Sequence, residues 1–173
     1  MQTMAMDLQG IFEKAKTSKR WMGALNMGLA RMIPFNKPHK YKVISITDDE
    51  IKVKLPYIKR NFNHIRGLHA CSLATVSEFC TGLMLISKLD SKQYRLIMQR
   101  MEMDYHYQGK MDAVASFSLT EAFIDEHIKQ PLTSQEATII DCEVKIHDVE
   151  GNHLTTGHIF WQVKDWSKVK TKL

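Results

Sequence analysis

The chain has 173 residues and a mass of 20.0 kDa, with 44% hydrophobic and 25% charged residues, enough to bury a core without disulfides or a metal. Lys and Arg number 24 against 19 Asp and Glu, a net +5 with the signs interspersed, so the balance by itself does not indicate nucleic acid. This composition excludes disordered, collagen-like, disulfide-miniprotein and membrane-spanning classes and predicts one soluble domain.

In chain order, Asp7 to Met32 reads as one or two helices, with Trp21, Leu25, Leu29 and Met32 as an apolar stripe that packs on the domain rather than on a membrane. Pro34 and Pro38 end it. Lys42 to Thr47 and the alternating Ile51, Val53 and Leu55 predict two short strands around an Asp48-Asp49-Glu50 turn. Asn61 to Leu68 is a polar loop, and Leu68 to Ser87 a long apolar helix. That helix carries Ser72, Thr75, Ser77, Glu78 and Thr81, a load that argues against a membrane span.

Period two then takes over. Ile97, Met101, Met103, Tyr105 and Tyr107 fall on one face of a strand, with Arg100, Glu102, Asp104 and His106 on the other. Gln108-Gly109-Lys110 reads as a hairpin turn into a strand over Met111 to Leu119. Ile140 to Ile146 and Leu154 to Val163 form two more strands across a Glu150-Gly151-Asn152 turn. Strands joined by tight turns predict an antiparallel sheet, hence an α+β fold, and a helix apolar over most of its circumference needs that sheet to wrap it.

Glu78 is the only formal charge between Arg66 and Lys88. Helical spacing puts it on one small, weakly polar face with Cys71, Ala74, Thr75 and Gly82, a face that a ligand or another backbone can approach. A carboxylate on such a face predicts a cleft-tuned acid; the plainer alternative has Glu78 at the sheet edge, pointing to water. At the other end of the helix, unpaired backbone N–H groups offer an oxyanion site, beside Asn63, His64 and His69.

Asn63, His69 six residues on and Glu78 nine further resemble the thioesterase motif of the hotdog superfamily: an Asn, a short loop, His-Gly-Gly, then an acid on the central helix. Within it the chain is most similar to the family known as the domain of unknown function 4442, itself similar to acyl-CoA thioesterases of the phenylacetate-degradation type. The likeness spans roughly Phe35 to Val163, which implies a helical extension over 1–33 and a hotdog domain over 34–173. His-Gly-Gly has become His69-Ala70-Cys71 here, and Glu stands for the commoner Asp.

The resemblance implies a homodimer or dimer of dimers that hydrolyses acyl-CoA between subunits, with coenzyme A as part of the substrate and no other cofactor. The thioester oxygen would sit on the Ala70 or Cys71 N–H, Glu78 would activate water or attack directly, Asn63 would position the water and His69 would orient the site. Ala70 and Glu78 are about 12 Å apart along one helix, so the helix end of one subunit should face Glu78 of its neighbour. Arg60, Arg66 and Lys110 are candidates for the CoA phosphates, and Phe79, Met84, Met101 and Phe117 for setting acyl-chain depth. Two other functions fit less well: a non-catalytic acyl-CoA or lipid-binding protein, suggested by Ala70-Cys71, and a 3-hydroxyacyl thioester dehydratase, suggested by His64 fourteen residues before Glu78.

The remaining features point to no other chemistry. Three cysteines without a CxxC pair predict a reducing, cytoplasmic setting, with Cys71 a small core thiol rather than a nucleophile. The N-terminus lacks the apolar run of a secretory signal, and Asp7 and Glu13 argue against a transit peptide. The eight histidines read as scattered, without metal-ligand spacing, and the lysines around Trp166 as a solvated tail.

Overall fold

The computed structural model describes residues 8–169, so the predicted helix start at Asp7 and the tail lysines Lys170 and Lys172 lie outside the described residues. Helices α1 (Leu8–Thr17) and α2 (Lys19–Met32) come first, followed by a hairpin of β1 (Lys42–Ile46) and β2 (Glu50–Leu55). The long helix α3 (Ala70–Lys88) precedes β3 (Tyr94–Tyr105) and β4 (Ala113–Ser118). Then α4 (Glu121–Ile124) runs through a π-helical turn (Asp125–Lys129) into α5 (Gln130–Ser134), and β5 (Thr138–Asp148) and β6 (His153–Asp165) close the fold.

The six strands form one antiparallel sheet in the order β1-β2-β4-β5-β6-β3. Its concave face holds α3, in which eleven of nineteen residues are buried. By length and apolarity α3 could cross a bilayer; here the sheet supplies the apolar surroundings instead. Ile51, Val53, Ala115, Val144, Ile159 and Val163 face it from the strands, each with no exposed surface. Phe12, Ala15, Leu25 and Leu29 belong to the same core, so α1 and α2 are part of one packed unit.

The β1–β2 and β5–β6 hairpins occur as predicted. The second turn is built on Asp148, which accepts the N–H groups of Glu150 at 3.0 Å and Asn152 at 2.9 Å, with Gly151 at φ +87°. The predicted Gln108-Gly109-Lys110 hairpin does not form: β3 pairs with β6 at one sheet edge, and β4 lies between β2 and β5. That segment is a crossover whose Gly109 carbonyl accepts the Leu68 N–H at 2.8 Å. A side chain on Gly109 would meet Leu154 at 2.8 Å, so close packing, not turn geometry, selects the glycine.

Two further differences arise from local irregularity. In β3 the register shifts between Met98, opposite Trp161, and Arg100, opposite Phe160. This bulge reverses the alternation, so Ile97 faces outward at 48% exposed while Met98 joins Met101 on the inner face. The helical stretch 121–134 was not predicted, although Thr120 caps it by accepting the Phe123 N–H at 3.2 Å. Ile124, Ile128 and Leu132 anchor it in the core at spacings of four, and the π-helical turn lies just before Pro131, whose ring crowds the carbonyl four residues back.

Of the predicted stripe on α2, Leu25 and Leu29 are buried while Trp21 and Met32 flank them in partial contact with solvent. Asn26 fixes the helix to the sheet. Its side chain accepts the Val43 N–H at 2.8 Å and donates to the Val43 carbonyl at 2.9 Å, occupying the outer edge of β1 as a strand would.

Candidate functional site

A largely apolar cleft of about 440 Å³ runs along the small face of α3. Its inner wall is Cys71, Ala74, Thr75, Glu78 and Gly82, the five residues that helical spacing groups on one face, continued by Leu83 and Ile86. From Cys71 to Ile86 the helix extends about 22 Å. Met98 and Met101 of β3 and Trp161 of β6 form the opposite side, and Ile33, Phe35 and Asn36, just after α2, form the lip.

Trp161 is the floor. Its indole N–H donates to Thr81 Oγ1 at 3.0 Å, and its ring sits where a Cβ on Gly82 would be, at 3.0 Å. Gly82 therefore permits the close approach of sheet to helix that shapes the cleft. Trp161, Met98 and the 33–36 segment were not predicted as site residues. The alternation of Ile159, Trp161 and Val163 contained the signal for Trp161, whereas the β3 bulge concealed Met98.

Glu78 is half-buried in this wall. Among the described residues its carboxylate makes no hydrogen bond and no ion pair, and burial raises its pKa above the ordinary carboxylate value. It does not stand at the sheet edge. A carboxyl held in apolar surroundings without a partner is a proton acceptor whose charged form is kept reactive.

The motif loop lies elsewhere. Asn63 Oδ1 accepts the N–H groups of Ile65 at 3.1 Å and Gly67 at 2.8 Å, closing the loop as an Asx turn. Buried Asn61 supports it from below: its Nδ2 donates to the His39 and Pro56 carbonyls at 3.1 and 2.9 Å, and its own carbonyl accepts the His69 N–H at 2.8 Å. His69 is the N-cap of α3, its Nδ1 accepting the Cys71 N–H at 3.0 Å. The Cys71 N–H is therefore engaged, while Ala70, as the first residue of the helix, has no intrahelical acceptor for its N–H. Asn63 and Ala70 line a second depression of about 330 Å³ with Leu68, Tyr105 and the 106–109 segment. Tyr105 OH donates to the Ala70 carbonyl at 3.2 Å.

Of the predicted residues, Glu78 and Cys71 thus share the apolar cleft, Asn63 and Ala70 share the second depression, and His69 is exposed at the helix start between them. His64, Arg60, Arg66 and Lys110 are exposed and line neither cavity; Arg66 adopts φ 61°, and its carbonyl accepts the Tyr57 hydroxyl at 2.5 Å. His64 and Glu78, the pair of the dehydratase alternative, are not brought together. Phe79 and Met101 reach the apolar cleft, but Met84 and Phe117 pack in the core outside its lining. Cys71 is not a core thiol: it is exposed on the helical face that lines the cleft, whereas Cys80 and Cys142 are buried. The histidines are not all scattered either: His153 stacks on His147 with ring centroids 4.7 Å apart and meets His106 in a tilted contact at 4.5 Å. Among the described residues no group of three His, Cys, Asp or Glu could hold a metal ion.

Solved structures share this architecture. A Pseudomonas aeruginosa protein of unknown function, described as a probable thioesterase, superposes with a TM-score of 0.76 at 18% identity, over 83% of this chain and 95% of its own. A Haemophilus influenzae thioesterase gives 0.65 at 11% identity, over 83% and 90%. A mutant thioesterase from Pseudomonas aeruginosa gives 0.62 at 10% identity, over 92% and 94%. At these identities the likeness establishes the fold, which is the hotdog fold, an antiparallel sheet around one long helix. No curated protein matches the sequence. The family model for the domain of unknown function 4442 matches residues 22–163, beginning within α2 and ending in β6, and the chain belongs to that family.

Proposed function

We propose that the protein is an acyl-CoA thioesterase acting as a homodimer. The observation that carries this reading is Glu78: a half-buried carboxylate without a partner, its pKa raised by burial, set in the wall of an apolar cleft with room for an acyl chain. The hotdog fold and its thioesterase neighbours support the same chemistry.

In this mechanism the acyl chain lies along α3 over Trp161, with the thioester carbon beside Glu78. Glu78 accepts a proton from water as its oxygen bonds to the carbonyl carbon; the C–S bond then breaks, and the thiolate of CoA takes up the proton. The developing oxyanion needs a donor. Ala70 N–H is assigned to it, since Cys71 N–H is bonded to His69. Within one chain Ala70 and Asn63 border the other depression, so this donor and the water-positioning amide come from a second copy, whose motif loop faces Glu78 of the first. Exposed Arg60, Arg66 and Lys110 around that loop then serve the CoA phosphates.

Thiol release from a panel of saturated acyl-CoA esters, with and without Glu78→Gln, tests the reading. Hydrolysis by the native chain, abolished by the substitution, is expected. An unchanged rate in Glu78→Gln overturns the assignment, and tight acyl-CoA binding without thiol release assigns a binding protein instead.

A further inference from the structure

The interspersion of charge breaks down over one stretch of the chain. Residues 14–47 contain eight lysines and arginines and no aspartate or glutamate, which leaves sixteen cations against nineteen acids in the rest of the chain. Among the described residues, Lys16 alone of the eight is in an ion pair, with Glu13 and Asp48. This cationic block is α2 with its flanks, and it ends at the lip of the apolar cleft.

Helix α2 has two unlike faces. Leu25 and Leu29 bury one against the core. Arg20, Met27 and Arg31, spaced by seven and four residues, lie together on the opposite side, where Met27 is 55% exposed. Trp21 and Met32 flank the buried face instead, with the Lys14 ammonium 4.6 Å over the Trp21 ring. Three residues past the helix, Phe35 is 67% exposed while its ring lines the cleft, and Lys37 and Lys40 follow it.

Cations mixed with large exposed apolar side chains, and no acid among them, are the composition of a helix that lies in the interface of an anionic bilayer. A face used only for phosphate backbones would have no need of Met27 and Phe35. We propose that α2 and the 33–40 segment dock the protein on an anionic lipid surface. Met27 and Phe35 enter the headgroup layer, and Arg20, Arg31 and Lys37 pair with lipid phosphates. Docking in this orientation opens the cleft lip toward the membrane, where acyl chains are held. The proposal stands independently of hydrolysis at Glu78, because docking is read without substrate.

The test is flotation of the full chain with vesicles of phosphatidylcholine alone and of phosphatidylcholine with phosphatidylglycerol. Binding to the anionic vesicles, weakened by salt, and none to the neutral ones is expected. Each cation at such a surface strengthens binding roughly fivefold, so Arg20→Gln with Arg31→Gln should weaken it by roughly 25-fold. Met27→Ser and Phe35→Ser should each weaken it at least about threefold through lost apolar contact. Melting temperatures check that these exposed substitutions leave the fold intact. Equal binding to both vesicles, binding to neither, or full binding by the double arginine variant overturns the proposal. So does tighter binding to an RNA or DNA duplex that Met27→Ser leaves unchanged, which assigns the face to nucleic acid. A shift from dimer to monomer in the double variant, read by analytical ultracentrifugation, assigns it to a second copy and overturns it too.

Discussion

The indole N–H of Trp161 donates to the hydroxyl of Thr81 at 3.0 Å, a buried hydrogen bond joining the sheet to the central helix. Thr81 in turn donates to the Ser77 and Glu78 carbonyls, so one hydroxyl ties the floor of the cleft to the turn that carries its acid. Thr81→Val keeps the shape and strands a buried donor, and should cost about 1–3 kcal/mol in chemical denaturation. Thr81→Ser should cost less than half of that.

Gly82→Ala puts a methyl group 3.0 Å from the Trp161 ring. Because the indole is pinned at Thr81, the ring has little freedom to move aside, and a loss of about 1–3 kcal/mol is expected. A denaturation midpoint equal to that of the native chain would show that the sheet and helix can separate without cost.

Glu78→Gln should separate stability from activity. Burial disfavours the charged form, so the folded-state pKa of Glu78 lies above its unfolded value, and the ionised side chain costs stability once pH exceeds the unfolded pKa. Glutamine removes that cost. The variant should melt no lower than the native chain at neutral pH, and any advantage should vanish as pH falls below the ordinary carboxylate range. Thermal melts across pH check this. In a thioesterase assay, kcat/KM of the native chain should rise with pH through an inflection above the ordinary carboxylate value, since the base must be ionised.

The three thiols should react unequally. Cys71 is exposed, whereas burial pushes Cys142 up to about 12 and Cys80 higher still. A disulfide reagent should titrate one thiol in the native protein and three in denaturant. A bulky maleimide at Cys71 should compete with acyl-CoA for the cleft, measured as a raised KM or lost binding.

Asn26→Ala removes both bonds to Val43 and the one to the Met22 carbonyl at 3.0 Å. A loss of about 1–3 kcal/mol is expected, since edge backbone groups are left poorly paired. Hydrogen exchange at the Val43 amide should quicken first.

Much of this fold was legible because its signals are local and periodic. The Ile51-Val53-Leu55 alternation, the Glu150-Gly151-Asn152 turn and the small face around Glu78 each depend on spacing alone. The partnering of β3 did not, because pairing with β6 rather than β4 is settled by packing across the sheet, and Gly109 looks the same in a turn or under Leu154. The bulge after Met98 shows the same limit, since one unpaired residue reversed a strand's faces. At the site, Asn63 and His69 were legible as residues, but their side chains are occupied in a loop closure and a helix cap. Cys71 was misplaced because the face it shares with Glu78 lines an open cleft rather than the core.

The clip of Asn26 onto Val43 also governs how the sheet can grow. At β1 a helix already holds backbone groups that another strand would use, whereas β3, at the far edge, is paired on one side only among the described residues. A sheet closed at one border and open at the other can accept one more copy through the open border. The resulting pair would then present two closed borders, so strand addition would stop at two chains instead of propagating into a fibre.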